Sequence, residues 1–189
     1  MGKNKMIKLL NILQEITVGP NSVYQEVLDY IRNGSQGDLD IQWTNIKRLP
    51  NSLKVVGGDL NLYKVPIQAL PDNLKVRGNL NLRNTPIQSL PNGLEVGGNL
   101  DLDTTPIQSL PDGLVVGGRL NLIGTPIQSL PNGLIVGGFL SLSSTPIQSL
   151  PNDLEVKGNL VLNNTPLSKK YTEEEIKAMV PGVKGKINL

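Results

Sequence analysis

Leu90-Pro91-Asn92-Gly93-Leu94-Glu95-Val96-Gly97-Gly98-Asn99-Leu100-Asp101-Leu102-Asp103-Thr104-Thr105-Pro106-Ile107-Gln108-Ser109 is one turn of a repeat. Leu-Pro recurs at 49–50, 70–71, 110–111, 130–131 and 150–151, a period of 20 residues after one step of 21. Self-similarity at this spacing is the mark of a stacked array rather than of a single closed core. Inside the unit, Leu94-Glu95-Val96 alternates apolar and polar as a short strand does, and Leu100-Asp101-Leu102 does so again. Gly97-Gly98 between them is expected to turn the chain. Thr105 precedes a proline and so avoids the helical region, which keeps the next corner extended. Proline has no amide donor, so Pro106 and Pro111 belong where stacked coils need none. A single turn cannot bury its apolar side; neighbouring turns bury a continuous ladder of Leu, Ile and Val.

Outward from the repeat, a divergent half-copy runs Gly37 to Arg48, with Leu39, Ile41, Thr44 and Ile46 on the repeat positions. The extra residue of the first full copy is expected near Val56-Gly57-Gly58, where a turn can absorb it. Residues 1–36 are expected to form a helical N-terminal cap. Leu9, Leu10, Leu13 and Ile16 have helical spacing, Gly19-Pro20 breaks the chain, and Ser22 with Gln25 opens a second helix as a capping box. Val23, Val27, Tyr30 and Ile31 form its apolar stripe, and Asn33-Gly34 ends it. Residues 168–189 are expected to be the other cap. Thr172 with Glu175 starts a helix that stops before Pro181, and Val183 to Leu189 adds a last strand. The basic, then apolar start is interrupted by Lys8, Asn11, Gln14 and Glu15, so it reads as an amphipathic helix and not as a signal peptide. No stretch approaches the roughly 20 apolar residues of a bilayer span.

Composition agrees. Aromatics are 3% of the 189 residues, with one Trp, one Phe and four Tyr, so the bulk comes from Leu, Ile and Val in a narrow core. Net charge is +2, from 18 basic and 16 acidic residues, which does not point to a nucleic-acid partner. There is no His and no Cys, which rules out His-based triads, histidine or thiolate metal sites and disulfides.

The ladder Leu-x-Leu-x-x-Thr-x-Ile-x-x-Leu-Pro-x-x-Leu, carried in one unit by Leu80, Leu82, Thr85, Ile87, Leu90 and Leu94, resembles the leucine-rich repeat. The resemblance covers 37–167. Two features depart from it. Threonine at 85, 105, 125, 145 and 165 stands where that family has an asparagine ladder, with Thr44 in the half-copy and Val65 in the first full copy. The strand Leu-x-Val-x-Gly is extra. Similar phrasing, and a similar Tyr171-Thr-Glu-Glu-Glu-Ile segment, occurs in repeat proteins of tailed phages and large DNA viruses. The resemblance implies a mainly β, right-handed, leucine-rich-repeat-like solenoid of about seven coils over 37–167. It also implies a viral source, with the host cytoplasm or the virion as location. The threonines are expected to be buried in the family's asparagine position, satisfying backbone groups of adjacent turns.

Chemistry must then reside in the positions that vary while the frame repeats. In leucine-rich repeats the Leu-x-Leu strand lines the ligand face, which implies a protein partner for Tyr63, Arg83, Asp101, Asp103, Arg119, Ile123 and Phe139. Tyr and Arg are common interface anchors. The alternative is drift on a solvated face. Asp101 and Asp103 form an Asp-x-Asp, conceivable for a hard cation but read as two solvated carboxylates. The Gly-Gly pairs are not phosphate loops, because no helix follows them. Val115, Ile123, Ile135 and Phe139 are apolar at outward positions of two neighbouring units; against Lys54, Lys75, Glu95 and Glu155 elsewhere, they suggest a surface for self-association. Pro-Ile-Gln-Ser recurs unchanged from 86, 106, 126 and 146; such a row suits a repeating ligand such as ice or polysaccharide, but reads as a duplicated corner. The functional expectation is a non-enzymatic protein-binding or scaffolding module without cofactor, metal, membrane or nucleic acid. A phage protein engaging a host factor is one form of it, and a structural virion or assembly component is the alternative.

Overall fold

The computed structural model describes residues 23–189. The expected first helix, with Leu9, Leu10, Leu13 and Ile16, and the Gly19-Pro20 break and Ser22 cap, lie outside the described residues. The described residues form a β-solenoid in which every full turn contributes one two-residue strand to each of two parallel sheets. The first sheet has eight strands: Leu39–Asp40 (β1), Leu60–Asn61 (β3), Leu80–Asn81 (β5), Leu100–Asp101 (β7), Leu120–Asn121 (β9), Leu140–Ser141 (β11), Leu160–Val161 (β13) and Ile187–Asn188 (β14). The second has six: Val55–Val56 (β2), Lys75–Val76 (β4), Glu95–Val96 (β6), Val115–Val116 (β8), Ile135–Val136 (β10) and Glu155–Val156 (β12). The six turns that carry both strands are the six full repeats. The half-copy supplies β1 alone.

Coils stack in register, Leu100 against Leu80 and Leu120. On the first sheet each coil donates to the one after it, as from Leu100 N to Arg119 O at 2.8 Å. On the second it donates to the one before, as from Gly117 N to Val96 O at 2.9 Å. Between the sheets runs a narrow core of stacked Leu, Ile and Val, with Leu100, Leu102 and Ile107 fully buried and their counterparts repeating that burial. Each such side chain removed from water is worth about 1.5–3 kcal/mol.

The glycine pairs work differently from the expected turn. Neither glycine of a pair has a positive φ. Left-handed residues recur instead at two other corners: Trp43, Lys64, Asn84, Thr104, Gly124, Ser144 and Asn164 after the first-sheet strands, and Asn73, Gly93, Gly113 and Gly133 before the second-sheet strands. The second glycine of each pair is a spacing residue. A Cβ on Gly118 would lie 2.9 Å from the backbone carbon of Gly98 and 2.4 Å from Asn99 Oδ1. The corner is stacked so closely that no side chain fits between coils.

The extra residue of the first full copy lies before Val56, not at the glycines. Val55 pairs with Lys75 and Val56 with Val76, so Lys54 and Val55 together occupy the place of one residue. Val55, and not Lys54, is therefore the outward equivalent of Lys75, Glu95, Val115, Ile135 and Glu155.

Helix α1 (Val23–Arg32) lies at the N-terminal end, with Val27 fully buried. Tyr30 ties it to the first coil: its hydroxyl donates to Gly37 O at 2.9 Å and accepts from Gly57 N at 3.1 Å. At the other end, Thr165 caps α2 (Pro166–Lys170) and Thr172 caps α3 (Glu173–Met179), each through a reciprocal capping box with Ser168 and Glu175. The tail is more than a strand. Val183-Lys184-Gly185-Lys186-Ile187-Asn188-Leu189 repeats the Val-x-Gly-x-Leu-x-Leu phrase of the coils. It pairs as a further partial turn, Val183 with Val156 and Ile187 with Leu160.

Candidate functional site

The threonine column is buried: Thr85, Thr105, Thr125, Thr145 and Thr165 are each at most 3% exposed. Its bonding differs from the expected ladder. Thr105 Oγ1 donates to Leu102 O at 2.7 Å, and Thr105 N donates to the same carbonyl at 3.1 Å. Each threonine closes the turn of its own coil and does not reach an adjacent one.

Side-chain bonds from one coil to the backbone of the next are made by another column, the residue that follows the spacing glycine of each coil. Asp38 Oδ1 accepts from Asp59 N, Asp59 Oδ1 from Asn79 N, Asn79 Oδ1 from Asn99 N and Asn99 Oδ1 from Arg119 N, all at 2.7–2.8 Å. Asn159 Oδ1 accepts from Lys186 N at 3.0 Å and extends the pattern into the tail. The Asn79 amide, and then its side chain, hold the Asp59 carboxyl below its ordinary pKa range. Arg119 and Phe139 interrupt this column, since neither side chain carries an acceptor.

A second, recessed column lies at the outward position of the first-sheet strands. Asp101 Oδ1 accepts from Asp103 N at 3.1 Å and from Asn121 Nδ2 at 2.9 Å. Asn61 and Asn81 behave alike, Asn81 Nδ2 donating to Asn61 Oδ1 at 3.1 Å. Asp101 is thus part of the frame.

The outermost column, beyond each strand, carries Tyr63, Arg83, Asp103, Ile123, Ser143 and Asn163. Arg83 Nη2 meets Asp103 Oδ2 at 2.8 Å, and Arg119 Nη2 stands 3.9 Å from Asp101 Oδ2. The Asp-x-Asp pair is flanked by two guanidiniums, a poor setting for a cation. Among the described residues no cluster of metal-ligating side chains forms. Ile123 and Phe139 stand out from the face, 37% and 53% exposed.

Of the four apolar outward residues, Val115 and Ile135 pair side by side on the second sheet, while Ile123 and Phe139 belong to the first-sheet side. The bare Gly-Gly corners lie between the two pairs. Val55, Lys75, Glu95 and Val115 line an open trough of about 680 Å³ along the second sheet, crossed by a Lys75–Glu95 ion pair at 2.7 Å.

One group escaped the sequence reading. Trp43, 63% exposed, packs edge-on against Tyr63 with ring centroids 5.1 Å apart, and Lys64 Nζ lies 4.3 Å from the Trp43 ring centroid. The available signal was the lone tryptophan on the left-handed position of the half-copy. No family model and no curated protein matches the chain. No helix among the described residues is long and apolar enough to cross a membrane.

Proposed function

We propose that the chain is a non-enzymatic protein-binding or scaffolding module that works through the outward face of the first sheet. The observation that supports this reading is the interruption of the Asp/Asn column at Arg119 and Phe139. From Asp38 to Asn99 that column hands each following coil an acceptor. At 119 and 139 the acceptor gives way to a guanidinium and a phenyl ring. A frame hydrogen bond is worth about 0.5–1.5 kcal/mol. Two adjacent coils forgo it and present instead the two side-chain types most suited to a protein contact, with Phe139 53% exposed. Folding alone favours asparagine there; contact with a partner favours what is found.

The test uses two tagged variants beside the unaltered chain in cells that naturally make it. One carries Tyr63→Ser, Arg83→Ser and Phe139→Asn on the first sheet, the other Val115→Ser and Ile135→Ser on the second. Proteins captured by the unaltered chain should be lost with the first variant and kept with the second. Equal capture by all three, or loss with the second alone, sinks the proposal.

A further inference from the structure

We infer that the first-sheet face is self-complementary and that its partner is a second copy of this chain, packed face to face with the coil order reversed. The inference rests on the reading of that face as a protein-binding surface and names the protein.

A two-fold axis running along the strand direction keeps each column opposite its own column and inverts the order of coils. With the axis between β5 and β7, coil β5 faces β7 of the second copy and β3 faces β9. In the outermost column this sets Arg83 against Asp103 and Tyr63 against Ile123. In the column after the glycine pairs it sets Asp59 against Arg119. These three pairs are opposite in charge or aromatic against aliphatic; of the others in this register, Asn79 meets Asn99, Gln42 meets Ser143 and Asp38 meets Phe139, and no like charges meet.

The register is not arbitrary. Moving the axis onto β5 puts Arg83 against its own symmetry mate, and moving it onto β7 does the same to Asp103. Either shift stacks like charges, which costs affinity strongly at an interface. Heights agree as well. Arg83 is 44% exposed and Asp103 only 15%, so a raised guanidinium meets a recessed carboxylate already paired by its own arginine. The result is an alternating square of two arginines and two aspartates.

In this register the six first-sheet strands β1 to β11 overlap, and at about 4.8 Å between strands, with three outward positions about 6.6 Å apart, they give a shared face of roughly 24 by 13 Å. This is smaller than the face of a stable specific complex, so the dimer is weak and concentration dependent.

Sedimentation equilibrium of the full chain from about 1 to 300 µM, a range suited to a weak interface, decides the matter. The unaltered chain should dimerise. Arg83→Glu alone and Asp103→Arg alone should each weaken dimerisation at least about tenfold, because each homodimer then opposes like charges twice. Mixing the two single variants should restore association as a heterodimer, since both contacts are again opposite in charge. The double reversal in one chain should dimerise like the original, which separates a contact effect from a folding effect. Thermal melts confirm that each variant folds; if a single variant does not, mixing the double reversal with the unaltered chain still decides, since that heterodimer opposes like charges twice and should not form. A chain monomeric at the highest concentration overturns the inference, as does a dimer indifferent to charge reversal or single variants that fail to pair. None of these outcomes touches the capture experiment, which judges binding of any partner to this face.

Discussion

Two of the polar columns along the solenoid hold different things together. The threonine column works inside a coil: Thr125 Oγ1 donates to Leu122 O at 2.8 Å, three residues back in the same turn. The aspartate and asparagine column works between coils, each side chain accepting the amide one turn further on. A buried threonine can thus be constant without joining anything to its neighbour. Beyond the backbone ladders, much of the side-chain bonding between coils comes from a column that looks variable, since Asp, Asn, Arg and Phe all occur in it. The difference teaches where to look for function: at the places where the column between coils is given up.

The largest effect is expected at the glycines beneath that column. Gly118→Ala forces a Cβ within 2.9 Å of Gly98 backbone and should cost about 3 kcal/mol in urea unfolding. Gly124→Ala has no neighbour within 4 Å and should cost about 1 kcal/mol, from its φ of +66° alone. Equal costs would mean that the pair serves conformation and not spacing. Next in size is Asn79→Ala, which removes both the acceptor of Asn99 N and the donors to Asp59. A loss of about 1–2 kcal/mol is expected, with faster hydrogen exchange in the coils on both sides. Thr125→Val should cost about 1 kcal/mol or less, because Thr125 N still reaches Leu122 O, and its exchange effect should stay within one coil. Faster exchange across several coils in the threonine variant would erase the distinction.

The smallest effect is on pH. Bonding lowers the Asp59 pKa in the folded chain. Its contribution is therefore fully present above the unfolded value of about 3.9 and lost as pH falls through the lower folded value. Asp59→Asn should flatten the acid limb of the stability curve slightly, measured as the melting temperature on either side of about pH 4. A steeper acid limb in the variant would contradict the assignment.

Most of the fold is legible in the sequence, because a 20-residue period fixes both strands, their faces and the stacking at once. Leu100, Leu102, Val96 and Ile107 are inside as their spacing requires. Two features are harder to read. Gly97-Gly98 looks like a turn, since sequence does not reveal that two backbones pass within contact; only the stack does. The bonding of Thr105 and Asn99 is likewise invisible, because a column tells which residue recurs and not which neighbour it reaches. The tail from Val183 is legible in principle. Its Val-x-Gly-x-Ile-x-Leu phrase is a repeat, hidden by the helices that separate it from the array. For the face itself, sequence marks which positions vary, but not that Asp101 is committed to Asn121 and Asp103 while Phe139 stands free of such bonds.

The interruption at Phe139 serves contact and not folding. The double variant Phe139→Asn with Ile123→Asn tests it most directly, because asparagine occupies both positions in another coil, at Asn159 and Asn163. The two side chains are 53% and 37% exposed, so replacing them should leave the melting temperature unchanged or slightly raised. The rise would come from the carboxamide introduced at position 139, which again offers an acceptor to the amide of Asn159. Capture of a partner protein should weaken about tenfold or more, because a large side chain buried at an interface is worth about 1.5–3 kcal/mol. A variant that melts much earlier would contradict the account: those side chains would then belong to the core, and the face proposed for binding would lose its basis.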